Sequence, residues 1–308
     1  LFPYLEAMAN QSFGMVLGKG GADTIITALS AAIEAKGGQI LCNHTVEQIL
    51  QQDGRATGVV VEGETIHAQR AVIANVAPGA MKRLTGGSGQ PSYDRSLETF
   101  RHAPGTMMIH LAISDLPDWR ASAELREFAY VHIAPSLDQM SQCYQQASAG
   151  LLPQEPVIVV GQPTAVDPSR APHGQHILWI QVRMVPGQIK ADAAGRITTT
   201  DWAQAAAPYA DRVLDLIEAH APGLRGNILG QRIVTPVELE RDNPNLVGGD
   251  QVCGSHHLSQ HFLFRPARGY ADGTTPIQNL YHTGAAVWPG AGTGAGSGYQ
   301  LGRKLTGT

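Results

Sequence analysis

Cysteine is scarce in this sequence, and the three cysteines that occur, Cys42, Cys143 and Cys253, are far apart. Their number is odd, and no Cys-x-x-Cys spacing is present. These features argue against a disulfide framework and against a zinc site, and they favour a reducing compartment. We therefore expect a cytoplasmic protein.

An excess of charge of either sign is also lacking. The chain has 22 lysines and arginines against 26 aspartates and glutamates, without a run of basic residues, so nucleic acid is not an expected partner. No apolar run reaches the roughly 18 residues of a membrane-spanning helix, and no signal peptide pattern is present. We expect no transmembrane segment. Peripheral membrane contact and the oligomeric state stay open.

The histidines, serines and carboxylates offer no complete catalytic constellation. His257 and His261 have the i, i+4 spacing of two ligands on a helix face, and His256 adjoins them, but no carboxylate accompanies the cluster. Hydrogen-bonded or partly exposed histidines are the simpler interpretation, and Ser297 lacks the spacing of a nucleophile elbow. No metal site is predicted, and the catalytic residues stay unknown. The acidic residues of the middle region are interpreted as a solvated helix face rather than an acid/base pair: Asp192, Asp201, Asp211 and Asp215.

Glycine, in contrast, is dense near the end of the sequence, with six glycines between Gly284 and Gly298. Residues 280–283 favour a strand and residues 299–305 favour a helix, so the glycines form a strand–loop–helix connection. This density indicates backbone with positive φ or a close approach to a ligand. The following helix N-terminus would then face an anionic or electron-rich group. A flexible tail is the alternative.

Residues 290–295 also fit the dinucleotide fingerprint Gly-x-Gly-x-x-Gly/Ala. That fingerprint requires a second strand that ends in an acidic residue about 20 positions later. The sequence has no room for such a strand before Thr308. We therefore predict a loop that closes over a different part of a cofactor, rather than an ADP-binding βαβ unit.

Apolar periodicity and turn residues predict an α/β chain of mixed α+β content. A helix is expected after Asp23, with Ile26, Leu29 and Ile33 on one face, and a second helix over residues 209–220. Pro208 is expected at the start of that second helix. Strands are expected at residues 39–42, 45–50, 56–61, 64–68, 71–76, 106–113, 129–133, 157–162, 176–185 and 228–234.

Three segments carry recognisable motifs in a fixed order. They are Gly20-Gly21 with its helix and Ala71-Val-Ile-Ala-Asn75-Val-Ala-Pro78, then Gly248-Gly249-Asp250 with Phe264-Arg265-Pro266, and last Leu280-Tyr-x-x-Gly-Ala-x-x-x-Pro-Gly-x-Gly292. Together they resemble the flavoprotein superfamily of phytoene-desaturase-like and amine-oxidase-like FAD enzymes. The resemblance covers most of the chain outside its middle region.

This resemblance implies FAD as the cofactor and assigns residues to it. Val46 would touch the adenine end through its backbone, and Ala74 and Asn75 would lie beside the dinucleotide. Gly284 and Ala285 would face the pyrophosphate and the ribityl chain. The flavin N1/O2 edge would receive helix N–H groups from the segment Gly292, Thr293 and Gly294.

The resemblance also implies a partial FAD/NAD(P)-binding domain with an inserted mixed-sheet substrate domain. Residues 20–85 and 245–308 would form the first domain, and residues 1–19 and 86–244 the second. The family's N-terminal βαβ unit is not found, since Leu1 would lie beyond it. We therefore expect a fragment, which alone would bind FAD weakly or not at all.

The predicted function is that of an FAD-dependent oxidoreductase, dehydrogenase-like or desaturase-like. It would transfer hydride from a small apolar organic substrate to flavin N5. Trp288 stands where many relatives carry histidine before Pro-Gly, which leaves the substrate class open. The alternative is a non-catalytic flavoprotein remnant that binds an apolar ligand or serves as an interaction module.

Overall fold

The computed structural model describes residues 17–291 and 295–307. Within these ranges the α-helices are α1 (Asp23–Glu34), α2 (Pro78–Thr85), α3 (Pro91–Glu98), α4 (Leu137–Ser148), α5 (Trp202–His220), α6 (Pro236–Asp242) and α7 (Gly296–Thr306). The strands are β1 (Val46–Gln52), β2 (Arg55–Val61), β3 (Glu64–His67), β4 (Val72–Ala74), β5 (Gly105–Ile113), β6 (Tyr130–Ile133), β7 (Leu151–Leu152), β8 (Val157–Gly161), β9 (His176–Val185), β10 (Ala191–Asp192), β11 (Ile228–Val234) and β12 (Leu280–His282). The contacts between residues define two units. The first contains residues 33–103, 252–291 and 295–307, and the second contains residues 17–32 and 104–251.

The first unit contains a three-stranded antiparallel sheet of order β1-β2-β3. Its two hairpins turn at Asp53-Gly54 and at Glu62-Gly63, and all four residues have positive φ. Two consecutive positive φ values characterise the type I′ turn, whose twist matches that of the flanking strands. The strands predicted at residues 45–50, 56–61 and 64–68 are confirmed here, and the turn dipeptides between them are local sequence signals.

A second, parallel pairing in the first unit joins β4 to β12, with Leu280 opposite Val72 and His282 opposite Ala74. The core of this unit is formed by side chains from the sheets, from α2 and α3, and from the segment before β12: Ile49, Ala56, Ala74, Met81, Leu84, Tyr93, Leu97, Ala267, Ile277 and Leu280.

The second unit is built on a five-stranded antiparallel sheet of order β11-β5-β9-β8-β6. One face of this sheet packs against α5, whose Tyr209, Val213 and Ile217 are fully buried. Because side chains alternate along a strand, the same strands present a different set of residues on their other face. The buried side contributes Ile109, Leu111, Leu178, Ile180 and Val182 to the core.

The predicted domain bounds differ from those of the two units. Residues 86–103 belong with the first unit because Tyr93 and Leu97 of α3 are buried in its core. Residues 23–32 of α1 belong with the second unit. The assignment of a cofactor domain and a substrate domain stays a prediction.

Two local expectations need correction. The segment 39–42 is not a strand. A strand requires a hydrogen-bonded partner strand, so the apolar composition of this segment was not enough to predict one. Helix α5 begins at Trp202, where the Asp201 side chain accepts a hydrogen bond from Ala203 N, so that Pro208 lies inside the helix. Helix α1 forms as predicted, but Ile26 and Leu29 on its apolar face are more than half exposed.

Asp192 is also not the exposed carboxylate that was expected. Its side chain is 1% exposed and forms a two-pronged ion pair with Arg212, with N–O distances of 2.8 and 2.6 Å. Burial alone raises the pKa of Asp192, but hydrogen bonds from Arg212 and from the N–H groups of Ile197 and Arg196 hold that pKa well below its ordinary value. The ion pair therefore anchors α5 to the end of β10. Of the other three residues, Asp211 and Asp215 are exposed as expected, and Asp201 caps α5.

We predict that Asp192→Asn lowers the free energy of unfolding by about 3–5 kcal/mol at pH 7, because a buried guanidinium loses its counter-ion. The folded-state pKa is lowered, so the carboxylate's contribution is present above the unfolded-state pKa of about 3.9 and is lost as the pH falls below it. Urea denaturation of wild type and variant at several pH values measures the difference. Asp215→Asn, at an exposed ion pair with Arg225, is the control and should cost at most about 1 kcal/mol. Equal losses in the two variants would contradict the assignment.

Candidate functional site at the ends of two parallel strands

Four of the predicted site residues lie where β4 and β12 end. Ala74 is the last residue of β4 and Asn75 follows it, while Gly284 and Ala285 follow β12. Thr283 N donates to Ala74 O over 2.9 Å, which continues the pairing past the strands. In open parallel sheets, ligands bind beyond the carboxyl ends of the strands. This edge is therefore the candidate site of the first unit.

Gly284 makes the closest approach at this edge. Its φ is +97°, a conformation that side chains with Cβ rarely adopt. A Cβ built on Gly284 would lie 1.9 Å from Asn75 Oδ1, far inside van der Waals contact. Glycine is thus required here by both conformation and space, and Asn75 is held against the turn.

The N-terminus of α7 meets the same turn. Ser297, in the first turn of α7, accepts a hydrogen bond from Gly284 N and donates one to Gly284 O, both over 3.0 Å. The first turn of α7 carries no acidic side chain. The partial positive charge of the helix N-terminus is therefore not neutralised by the helix itself, which suits an anionic or electron-rich ligand.

A fifth predicted site residue, Val46, lies in a different sheet of the first unit. Val46 begins β1 in the three-stranded sheet, opposite Val61, and is 37% exposed. Its contact with the adenine end stays a prediction. Gly292, Thr293 and Gly294 lie outside the described residues.

Arg265 supports the site, and the sequence reasoning assigned it no role. Its side chain is fully buried, and Nη2 donates to Cys253 O over 2.7 Å and to Ala285 O over 2.9 Å. Nη1 donates to Ser255 O, and the guanidinium lies over the Phe100 ring. Arg265 thus fixes Ala285 and adds positive potential beside it. The only sequence signal was its place in the Phe-Arg-Pro motif.

The histidine cluster forms aromatic contacts. His261 is buried and edge-on to Trp288 with ring centroids 5.5 Å apart, and Trp288 stacks on Phe262 at 4.6 Å. Residues 258–260 form a 3₁₀ turn rather than an α-helix, and His257 is exposed. Among residues 17–291 and 295–307, no group of three histidine, cysteine or acidic side chains is arranged to hold a metal ion.

The second unit contains a cavity of about 760 Å³ on the sheet face opposite α5. Apolar side chains in its lining include Leu17, Ile25, Ile177 and Trp179. Ligand pockets of proteins commonly measure about 300–1,000 Å³. The cavity is therefore large enough for a small organic molecule.

His282, the last residue of β12, is 1% exposed. Its Nε2 lies 2.7 Å from Val76 O, and because a carbonyl only accepts, Nε2 carries the proton. Burial lowers the pKa of His282 to about 4, against a smaller opposite effect of the bond to Val76. The neutral imidazole thus joins the end of β12 to the residues that follow β4.

We predict that this histidine makes the folded state sensitive to acid. With a folded-state pKa of about 4 against 6.5, the unfolded chain takes up the proton first, so stability is lost as the pH falls below 6.5. Between pH 7.5 and 5, wild type should lose about 2 kcal/mol more than His282→Gln, which donates to Val76 without titrating. Urea denaturation at both pH values measures this difference. His257→Gln, at an exposed site, should behave as wild type, and parallel pH profiles for His282→Gln and wild type would refute the prediction.

Comparison with known proteins gives a consistent family. The model of the family described as flavin containing amine oxidoreductase matches residues 2–223. The rat pyridine nucleotide-disulfide oxidoreductase domain-containing protein 2 is 28% identical over 286 residues, which are 89% of this chain and 48% of that protein. A lycopene-forming phytoene desaturase of Paracoccus sp. is 26% identical over 293 residues, with 91% and 52% covered.

Solved structures show the same fold. An oxidoreductase from Methanosarcina mazei superposes with a TM-score of 0.61 and 18% identity over 99% of this chain and 59% of its own. Cyclohexylamine oxidase from Brevibacterium oxydans gives a TM-score of 0.52 and 13% identity over 94% and 52%. The chain spans about half the length of the curated relatives that it matches. None of the helices in the described ranges has both the length and the apolar character needed to cross a bilayer.

Proposed function

The chain belongs to the flavin containing amine oxidoreductase family, and from that membership we propose that the protein is an FAD-dependent oxidoreductase acting on an apolar organic substrate. The observation that carries this proposal is the edge at Asn75 and Gly284, where two parallel strands end beside the N-terminus of α7. The proposal is that this edge binds the dinucleotide.

The residues at the edge fit such a ligand. Gly284 lets the Asn75 side chain lie against the turn, and the N-terminus of α7 and the buried Arg265 both supply positive potential. In the proposal, Gly284 and Ala285 face the pyrophosphate, and Ala74 and Asn75 lie beside the dinucleotide. Val46 contacts the adenine end, and the segment 292–294 approaches the flavin.

Bound flavin supplies a hydride acceptor at N5, and its reduced form carries negative charge near N1 and C2=O. The chain's task is to orient the cofactor and to stabilise that charge. A helix N-terminus does so through fixed N–H groups, which need no reorganisation during the reaction. The positive end of α7 would therefore stabilise that charge without a titrating side chain.

The names of several relatives support an apolar substrate. They include phytoene desaturases and a component of the limonene dehydrogenase of Castellaniella defragrans. Cyclohexylamine oxidase and putrescine oxidase share the fold, but at 13–14% identity, so an amine substrate has weaker support. Anaerobic bleaching of the flavin absorbance separates the classes: a linear polyene hydrocarbon should bleach it, and cyclohexylamine should not. Bleaching by the amine alone would reverse this ranking. A protein that retains flavin but is bleached by neither would match the non-catalytic alternative.

We predict that Gly284→Val in the full-length protein weakens FAD retention by several-fold to about a hundredfold. A β-branched residue at positive φ costs about 1–3 kcal/mol, and its Cβ would displace Asn75 from the edge. Flavin absorbance after gel filtration, and titration of the apoprotein with FAD, measure the effect.

The matched control is Gly302→Ala in α7, where an added Cβ meets open space and φ is not positive. It should retain FAD as wild type does. Asn75→Ala provides a second variant without backbone strain, and it should also weaken FAD binding. Normal FAD affinity in both Gly284→Val and Asn75→Ala would overturn the proposed cofactor site.

A further inference from the structure

The cavity of the second unit has an ordered floor. The pairing of the strands places Arg232 opposite His110, His110 opposite Trp179, Trp179 opposite Gly161, and Gly161 opposite Tyr130. These five residues, which we call the cross-sheet row, span all five strands, and all five line the cavity. Four strand spacings of about 4.8 Å give the row a length of about 19 Å.

One end of the cross-sheet row is aromatic. Tyr130 and Trp179 contact edge to face, with ring centroids 6.1 Å apart. A Cβ on Gly161 would lie 2.9 Å from Trp179 Cε3 and 3.0 Å from Trp179 O. The absence of a side chain at Gly161 therefore lets the indole lie against the sheet. This end offers apolar, planar surface to a ligand.

The other end is cationic. Arg232 is exposed and forms no ion pair within the described part of the chain, in contrast to Arg170, which also lines the cavity but is bonded to Asp167. Burial and the neighbouring Arg232 lower the pKa of His110, which therefore remains a neutral donor and acceptor near pH 7. A guanidinium without a carboxylate partner has all its donors available for an anion.

The opposite wall of the cavity is held in place by hydrogen bonds. Asp167 accepts from Gly20 N over 2.7 Å, and Arg170 donates to Gly18 O. These bonds fix the segment that brings Leu17 and Ala22 to the cavity. A preformed wall lowers the entropy cost of binding.

We propose that this cavity binds an amphiphile, a molecule with an extended apolar body and one terminal carboxylate. The carboxylate pairs with Arg232 beside His110, and the apolar body crosses the cross-sheet row towards Trp179 and Tyr130. A carboxylate fits because its two oxygens match the planar fork of arginine. The inference that this molecule is the substrate rests on the proposed function, whereas the binding itself does not.

The test compares two probes that differ only at the end group, the fluorescent tetraene cis-parinaric acid and the corresponding alcohol, parinaryl alcohol. Fluorescence titration of the full-length protein should give a dissociation constant about 10- to 100-fold lower for the acid, the range of a charge-assisted pair. Arg232→Gln should abolish this preference without weakening the alcohol. Arg232→Lys should retain part of this preference, because lysine keeps the positive charge but lacks the planar guanidinium that pairs with both carboxylate oxygens.

The matched control is Arg183→Gln, on the same face of the same sheet but outside the cavity lining, and it should keep the preference. Equal affinity for acid and alcohol in wild type, no binding of either probe, or an unchanged preference in Arg232→Gln would each overturn the proposal. The two proposals fail separately. A protein that prefers the acid but does not retain flavin contradicts only the proposed function, and one that retains flavin without preferring the acid contradicts only this inference.

Discussion

The parallel pairing of β4 with β12 is the constraint on which the first unit depends. It joins residues about 200 positions apart in the chain, yet each strand has three residues. So short a ladder contains few hydrogen bonds, and additional hydrogen bonds stabilise both of its ends. Val72 N donates to Asn279 O at one end, and at the other Thr283 N donates to Ala74 O and His282 Nε2 to Val76 O. The candidate site lies at the carboxyl end of the two strands, where Thr283 and His282 form these hydrogen bonds.

The same reinforcement determines what the site can bind. Ser297 ties α7 to Gly284 by two hydrogen bonds, so the helix N-terminus cannot move away from the strand ends without breaking them. Arg265 fixes the next residue, Ala285, through its carbonyl oxygen. These two interactions engage the backbone groups of Gly284 and Ala285. The positive potential of α7 is thereby held in a fixed position, as electrostatic stabilisation of a cofactor requires.

Sequence patterns predicted the parts of the fold that are decided locally. Asp53-Gly54 and Glu62-Gly63 predict the hairpins because only the turn itself needs positive φ. Gly284 was assigned to the site by the family resemblance, and its positive φ agrees with the glycine density of that segment. The start of α5 was missed because Pro208 was given more weight than the capping Asp201. Arg265 and the cross-sheet row could not be predicted, since their partners are distant in the chain. A one-residue change in the pairing of β5 with β9 would send His110 to the core face.

The two units present positive charge in physically different ways, and the difference suits two kinds of ligand. In the first unit it comes from a helix N-terminus and from a buried arginine whose fork is engaged by carbonyl oxygens. Both sources are held in place by hydrogen bonds, so the position of the charge is fixed, as suits the proposed resident cofactor. In the second unit the charge is on Arg232, an exposed side chain. Its long stem loses rotamer entropy each time it pairs with an anion, which limits affinity and permits release. The fixed charge therefore suits the proposed cofactor, and the exposed charge of Arg232 suits the proposed exchanging ligand.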